Sequence, residues 1–190
     1  MIPKNIFVTG PPRSGKSTLI MDISKKLLEL GIEIRGIICP EIRISGRRWG
    51  FKVVVYPDGP EEILASIEIR SPYRVSKYGV NIAGFEKIVE EHLSKTLHDP
   101  QTKVILIDEI GKMELMSKKF RNFVEKALNS EKPILGVLGR IRDPIVQHIQ
   151  HRKDTIIYTI TREQTKNQRQ TIKQKILKTI LRYLGQSPNQ

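Results

Sequence analysis

Short aliphatic runs alternate along this chain with longer stretches in which apolar side chains return every three or four positions. Runs of the first kind suit buried strands, and stretches of the second kind suit helices with one apolar face. The first strand is expected at Asn5–Thr9. A helix follows over about Lys16–Leu30, with Leu19, Ile20, Ile23, Leu27 and Leu30 on one face and Gly31 closing it. Further strands are expected at Glu33–Cys39, Lys103–Asp108, Pro133–Leu138 and Thr155–Ile160. Helices are expected at about Phe85–Leu97, Lys118–Asn129, Pro144–Gln150 and Asn167–Leu184. The helix at Pro144 has Asp143 before it as N-cap and proline at its first position, a favoured start. Such alternation predicts an α/β fold: a three-layer domain around a mainly parallel sheet.

The middle of the chain breaks the scheme. Arg47–Tyr56 and Glu61–Ile69 are two β-rich runs around Pro57-Asp58-Gly59-Pro60, which predicts an antiparallel hairpin inserted over about residues 47–69. Ser71–Ala83, with Pro72, Gly79 and two tyrosines, reads as a surface loop near a ligand. Residues 1–190 are expected to form a single domain, since this length builds one core of ordinary size.

Composition narrows the classes. The chain is 38% hydrophobic and 28% charged, as in a globular protein in water. Its apolar runs, such as Val104–Ile107, fall far short of the roughly 20 residues that cross a bilayer. Ile6-Phe7-Val8 leads straight into a glycine loop, unlike a signal peptide. One cysteine, Cys39, makes no internal disulfide and reads as a small buried residue. A cytoplasmic monomer without membrane contact is expected. Of the net charge of +13, the segment Ile160–Gln190 carries a large share, with seven basic residues against Glu163. In the last helix Ile172, Ile176, Leu177, Ile180, Leu181 and Leu184 form an apolar stripe that reads as core-facing, with the lysines solvated. Nucleic-acid binding by that helix is the less favoured reading.

Chemistry enters at Gly10-Pro11-Pro12-Arg13-Ser14-Gly15-Lys16-Ser17, a full match to the phosphate-binding pattern G-x-x-x-x-G-K-[ST] between a strand and a helix. Its amides can curl around a β-phosphate while the helix points its positive end at the same group. Lys16 is expected at the β- and γ-phosphates, and the Ser17 hydroxyl on Mg²⁺. Val104-Ile105-Leu106-Ile107 then reads as a central strand carrying Asp108 and Glu109 at its carboxyl end, beside the phosphate crevice. Asp108 is expected to hold Mg²⁺ through its waters, and Glu109 to orient an attacking water.

Asp108-Glu109-Ile110-Gly111-Lys112-Met113-Glu114-Leu115 resembles the signature of the THEP1-like nucleoside triphosphatases. Glu41-Ile42-Arg43, Arg48-Trp49-Gly50-Phe51 and Lys77-Tyr78-Gly79-Val80-Asn81 resemble further segments of that family, so the likeness runs from about Ile6 to Arg169. The resemblance implies a RecA-like P-loop domain that slowly hydrolyses ATP, GTP and other NTPs with little base discrimination. It also implies nucleotide contacts over Pro11–Thr18 and over Val104, Ile105, Leu106, Ile107, Asp108, Glu109, Ile110 and Gly111. Two features depart from the family: Arg13 within the loop, and a late Thr-x-Glu-Asn-Arg element that is displaced here to Thr161-Arg162-Glu163 and Asn167-Gln168-Arg169.

Arg13, Arg43, Arg48 and Lys112 are candidate clamps on the transferring phosphoryl group. Trp49 and Phe51 are candidates for stacking on a base, although burial against the sheet is the commoner fate of such residues. His92, His98, His148 and His151 lack metal-ligand spacing. The resulting expectation is a Mg²⁺-dependent nucleoside triphosphatase with broad base tolerance. The alternatives are a small-molecule or polynucleotide kinase, and a nucleic-acid-associated switch reset by hydrolysis.

Overall fold

Ten strands join in one sheet in the computed structural model, which describes residues 2–186, so the two extremes of the expected 1–190 domain lie outside the described residues. In chain order the strands are β1 (Asn5–Thr9), β2 (Ile34–Ile38), β3 (Glu41–Ile44), β4 (Arg47–Tyr56), β5 (Glu61–Ser66), β6 (Arg74–Val75), β7 (Tyr78–Val80), β8 (Val104–Ile110), β9 (Ile134–Leu138) and β10 (Thr155–Thr159). The helices are α1 (Lys16–Glu29), α2 (Ile82–Ile88), α3 (Lys118–Asn129), α4 (Pro144–His151) and α5 (Lys166–Tyr183). The order β10-β1-β9-β8-β2 is parallel throughout.

Alternating strand side chains feed two cores. Ile6, Val8, Val104, Leu106, Leu135 and Val137 meet Ile20, Ile23 and Leu27 of α1 and Ile176 and Ile180 of α5. Phe7, Ile105 and Ile107 point the other way, toward Phe85 of α2, Phe120 and Phe123 of α3 and Ile149 of α4. Three layers result, as the hydrophobic pattern predicts. The stripe on α5 faces the core, and its start is fixed by a capping box between Thr165 and Gln168. Asp143 caps α4 by accepting from the Ile145 N–H at 2.9 Å.

The inserted hairpin exists but belongs to a larger antiparallel half. β4 pairs with β2 at one end and β3 at the other, and β5, β7 and β6 continue the sheet. The second run stops at Ser66 rather than Ile69, because the Ser66 hydroxyl accepts from the N–H groups of Glu68 and Ile69 and turns the chain. Residues 71–83 are not a loop throughout. Tyr78-Gly79-Val80 is a buried strand, and Tyr78 meets Phe51 edge-on at 5.4 Å. The helix expected from Phe85 begins at Ile82, where the Asn81 side chain caps it by accepting from Gly84 N–H. Its later part widens to a π turn (Val89–Leu93) and tightens to a 3₁₀ turn (Ser94–Leu97), with Val89, Leu93 and Thr96 all buried. β8 runs two residues past Asp108, to Ile110.

Candidate active site

The carboxyl ends of β1, β8 and β9 lie along one edge of the sheet, and the loops leaving them build a cavity of about 710 Å³. The loop Gly10–Gly15 leaves β1 and enters α1. Gly15 is the N-cap in the left-handed region, with φ 90°, and supplies no side chain to the free amides of the first turn. Those N–H groups and the positive helix end are therefore available to an anion. A Cβ on Gly10 would lie 2.0 Å from the Ile160 carbonyl oxygen, so only glycine lets the loop pass this close to the end of β10. The Lys16 ammonium lies over the loop and donates to the Pro11 carbonyl at 2.8 Å.

Opposite Lys16 stand the two carboxylates of β8. Pairing of β8 with β9 slips between Ile107 and Ile110. That irregularity breaks the alternation of faces, and Asp108 and Glu109 both line the cavity. The Ser17 hydroxyl lies beside Asp108 on the cavity wall. Burial pushes the Asp108 carboxyl up, while the Ser17 hydroxyl and Lys16 pull it down. Burial and then Asp108 raise Glu109, with Lys16 opposing. Burial lowers Lys16 against the attraction of Glu109 and Asp108. These groups form one coupled electrostatic unit of an ammonium facing two carboxylates.

Ser17 and Asp108 offer adjacent hard oxygens at the loop end of the cavity. Among the described residues no group of three or more His, Cys, Asp or Glu side chains could hold a metal ion. That donor set fits Mg²⁺, which takes one or two protein oxygens and completes its octahedron with water and phosphate.

The structure sorts the remaining sequence candidates. Gly10, Pro12, Arg13, Gly15, Lys16, Ser17, Thr18, Asp108 and Glu109 line the cavity. Ser14 is buried beneath the loop. Val104, Ile105, Leu106, Ile107 and Ile110 do not face the cavity: each is fully buried in one of the two cores, as a central parallel strand requires. Gly111 is buried beside Glu109. Arg48, Lys112 and Phe51 line the cavity, with Arg48 paired to Glu41; Arg43 pairs with the same Glu41 at 3.0 Å but is not on the cavity wall. A bulge in the β3–β4 pairing, where Ile42 faces Gly50 and Arg43 faces Arg48, leaves Trp49 as an extra residue. Arg48 and Phe51 thereby share a face, with the guanidinium 5.5 Å from the ring centroid, and Trp49 lines a separate surface groove with Lys52 and Glu62.

Glu41, Glu114 and Arg140 also line the cavity and were missed as functional candidates. Glu41 and Glu114 stood inside quoted segments without a role. Arg140 follows β9, and only the fold brings that loop beside Lys16.

Comparison with known proteins agrees with this geometry. The model of the family described as NTPase matches residues 5–177. Nucleoside-triphosphatase THEP1 of Thermotoga sp. (strain RQ2) is 42% identical over 155 residues, covering 82% of this chain and 85% of the relative. Nucleoside-triphosphatase THEP1 of Methanothermobacter thermautotrophicus is 35% identical over 158 residues, covering 83% and 87%. The crystal structure of THEP1 from Aquifex aeolicus superposes with a TM-score of 0.75 at 31% identity, over 93% of this chain and 98% of that one. The solution structure of a human cancer-related nucleoside triphosphatase gives a TM-score of 0.73 at 31% identity, over 91% and 95%. With its phosphate loop, its carboxylate-ended central strand and a match along most of its length, the chain belongs to this NTPase family.

Proposed function

We propose that the protein is a Mg²⁺-dependent nucleoside triphosphatase that cleaves the terminal phosphate of ATP, GTP and other NTPs with water. One observation carries the reading: Lys16, the Ser17–Asp108 pair and Glu109 converge in a single cavity at the mouth of the phosphate loop. The names of the THEP1 relatives support the same activity.

The roles follow from position. The loop amides and Lys16 bind and neutralise the β- and γ-phosphates, while Ser17 and Asp108 hold the metal. Bound Mg²⁺ supplies charge neutralisation at the phosphate oxygens. Glu109, one residue beyond Asp108, holds the attacking water in line. Arg13, Arg48, Lys112 and Arg140 put further positive charge on the cavity walls, where it meets the charge that develops during transfer. Phe51, half-buried on the cavity wall, is the aromatic side chain nearest to hand for a base, and contact by stacking alone discriminates weakly among bases.

Phosphate release from ATP, GTP, CTP and UTP, with and without chelator, tests the reading. EDTA should abolish turnover, and kcat/KM should differ by less than about tenfold among the four bases, since stacking discriminates weakly. Lys16→Ala should abolish hydrolysis. Glu109→Gln should lower kcat by about 10²-fold or more while a non-hydrolysable analogue still binds. Undiminished hydrolysis by Glu109→Gln would remove the water-orienting role.

A further inference from the structure

Glu114 lies in the one-turn helix Glu114–Met116 that follows the signature turn, and it is only 5% exposed. The turn is held firmly. Leu115 N–H donates to the Gly111 carbonyl at 3.0 Å, and Arg121 of α3 donates to the Leu115 carbonyl at 2.6 Å. The Glu114 side chain points back into the cavity beneath Glu109. A single point beside Gly111, where a Cβ would stand, is 2.4 Å from Glu109 Oε1 and 3.0 Å from Glu114 Oε2. The two carboxyl groups are therefore neighbours over the one residue that leaves them room. Cys39, at the end of β2, lies beside Glu114 on the same cavity wall.

We propose that Glu114 is a positioning residue for hydrolysis: its carboxyl group, wedged between Cys39 and Glu109, holds Glu109 in the orientation from which it meets the attacking water. The proposal rests on the role given to Glu109 above. Ionising a second buried carboxyl beside Glu109 is costly. Burial, reinforced by the negative charge of Glu109, pushes the Glu114 carboxyl up to about 8. Glu114 is therefore protonated at neutral pH, and its O–H is available to Glu109. The water gives its proton to Glu109 or to the phosphate.

The groups that set this balance come from several elements. Asp108 and Glu109 face Glu114 from β8, and Cys39 faces it from the end of β2. On the other cavity walls stand Lys16 of α1, Glu41 of β3, Arg48 of β4, Lys112 of the turn and Arg140 after β9.

The decisive experiment compares pH profiles of kcat and KM for wild type, Glu114→Gln, Glu114→Ala and Glu109→Gln, with thermal unfolding as a check on folding. Glutamine imitates the protonated carboxyl at every pH. Wild type should show an alkaline fall in kcat near pH 8; Glu114→Gln should stay within about threefold of wild type at pH 7 and lack that fall. Glu114→Ala should lose tenfold or more in kcat with KM little changed. The proposal is overturned if a folded Glu114→Ala turns over like wild type. It is also overturned if Glu114→Gln is as inactive as Glu109→Gln, which would mean that an ionised Glu114 is required. Should Glu114→Ala not fold, Glu114→Gln alone decides, and retention of the wild-type alkaline fall counts against the proposal. An active Glu109→Gln defeats the underlying assignment, whereas an inactive Glu109→Gln beside wild-type-like Glu114 variants defeats this inference only.

Discussion

Gly111 separates catalytic geometry from stability more cleanly than any charged residue of the site. Its backbone is not in the left-handed region, so alanine there is conformationally allowed. The added methyl would strike the ends of two flexible side chains, Glu109 Oε1 and Glu114 Oε2, rather than backbone. Carboxylates yield at little energetic cost, but they yield away from their working positions. Gly111→Ala should therefore unfold within about 1 kcal/mol of wild type, yet lose about 10- to 100-fold in kcat, the scale of an ångström-sized misplacement. A parallel melt and steady-state assay check both halves. At this scale legibility depends on contiguity. Lys16, Ser17, Asp108 and Glu109 were legible because each motif specifies its own local geometry, a strand running into an anion-binding turn. The expected contacts through Val104–Ile107 were not found in the cavity, because the strand that delivers Asp108 spends those side chains on the cores. Arg140 lay beyond reach because its approach to Lys16 comes from strand order, which sequence spacing does not encode.

Between elements, the cap of α4 shows how one residue can serve two structures. Asp143 accepts from Ile145 N–H and also takes both arms of Arg121 from α3, at 3.1 and 2.6 Å. Burial would raise its carboxyl, but the Arg121 hydrogen bond and the Ile145 N–H outweigh burial and hold it below the usual range. A carboxylate depressed in the folded state adds stability above its unfolded pKa and loses it as pH falls through the lower, folded one. Asp143→Ala should cost about 1–2 kcal/mol at pH 7. The gap from wild type should narrow below about pH 4. Urea unfolding at pH 7 and pH 3 measures both. The cap itself was readable from Asp143-Pro144, whereas its partner Arg121 was not. The same contrast divides the sheet. β1, β8 and β9 are buried apolar runs, and such strands announce themselves. β3 is mostly exposed and carries charge, and β6 has only two residues, so neither contrasts with loop. β7 is hidden by Gly79, which a strand pattern disfavours. It is required here because a Cβ would lie 1.9 Å from the Ile69 carbonyl oxygen.

Across the whole molecule, the excess of +13 is more organised than its distribution along the chain implies. Much of it sits after Ile160, on a segment read as a core-facing helix with a solvated outer face. The apolar stripe does face the core, but the basic side chains are not all spent on solvent. Arg162 donates to the Pro12 carbonyl at 2.7 Å, and Arg169 donates to the Thr161 carbonyl at 2.8 Å with its guanidinium packed over Gly15. The connection from β10 to α5 thus brings two cations of the basic segment against the back of the phosphate loop. Arg13, Arg48, Lys112 and Arg140 surround the cavity itself. An excess of positive charge around a cleft draws an anionic nucleotide toward it, and salt screens that attraction over about 8–10 Å. The cavity carboxylates reduce the field locally: Asp108 and Glu114 are buried, and the exposed Glu41 is paired with Arg43 and Arg48. Raising ionic strength from about 20 mM to about 500 mM should therefore lower kcat/KM for ATP several-fold. kcat should hold within about twofold, because contacts to buried groups inside the cavity are screened far less. Arg162→Ala should flatten that slope with little effect on kcat, since its charge helps to draw in the nucleotide without touching the reacting atoms. Stopped-flow binding of a fluorescent NTP across the same salt series isolates the association step. An association rate indifferent to salt would mean that the loop amides and Lys16 capture nucleotide without help from the surrounding charge.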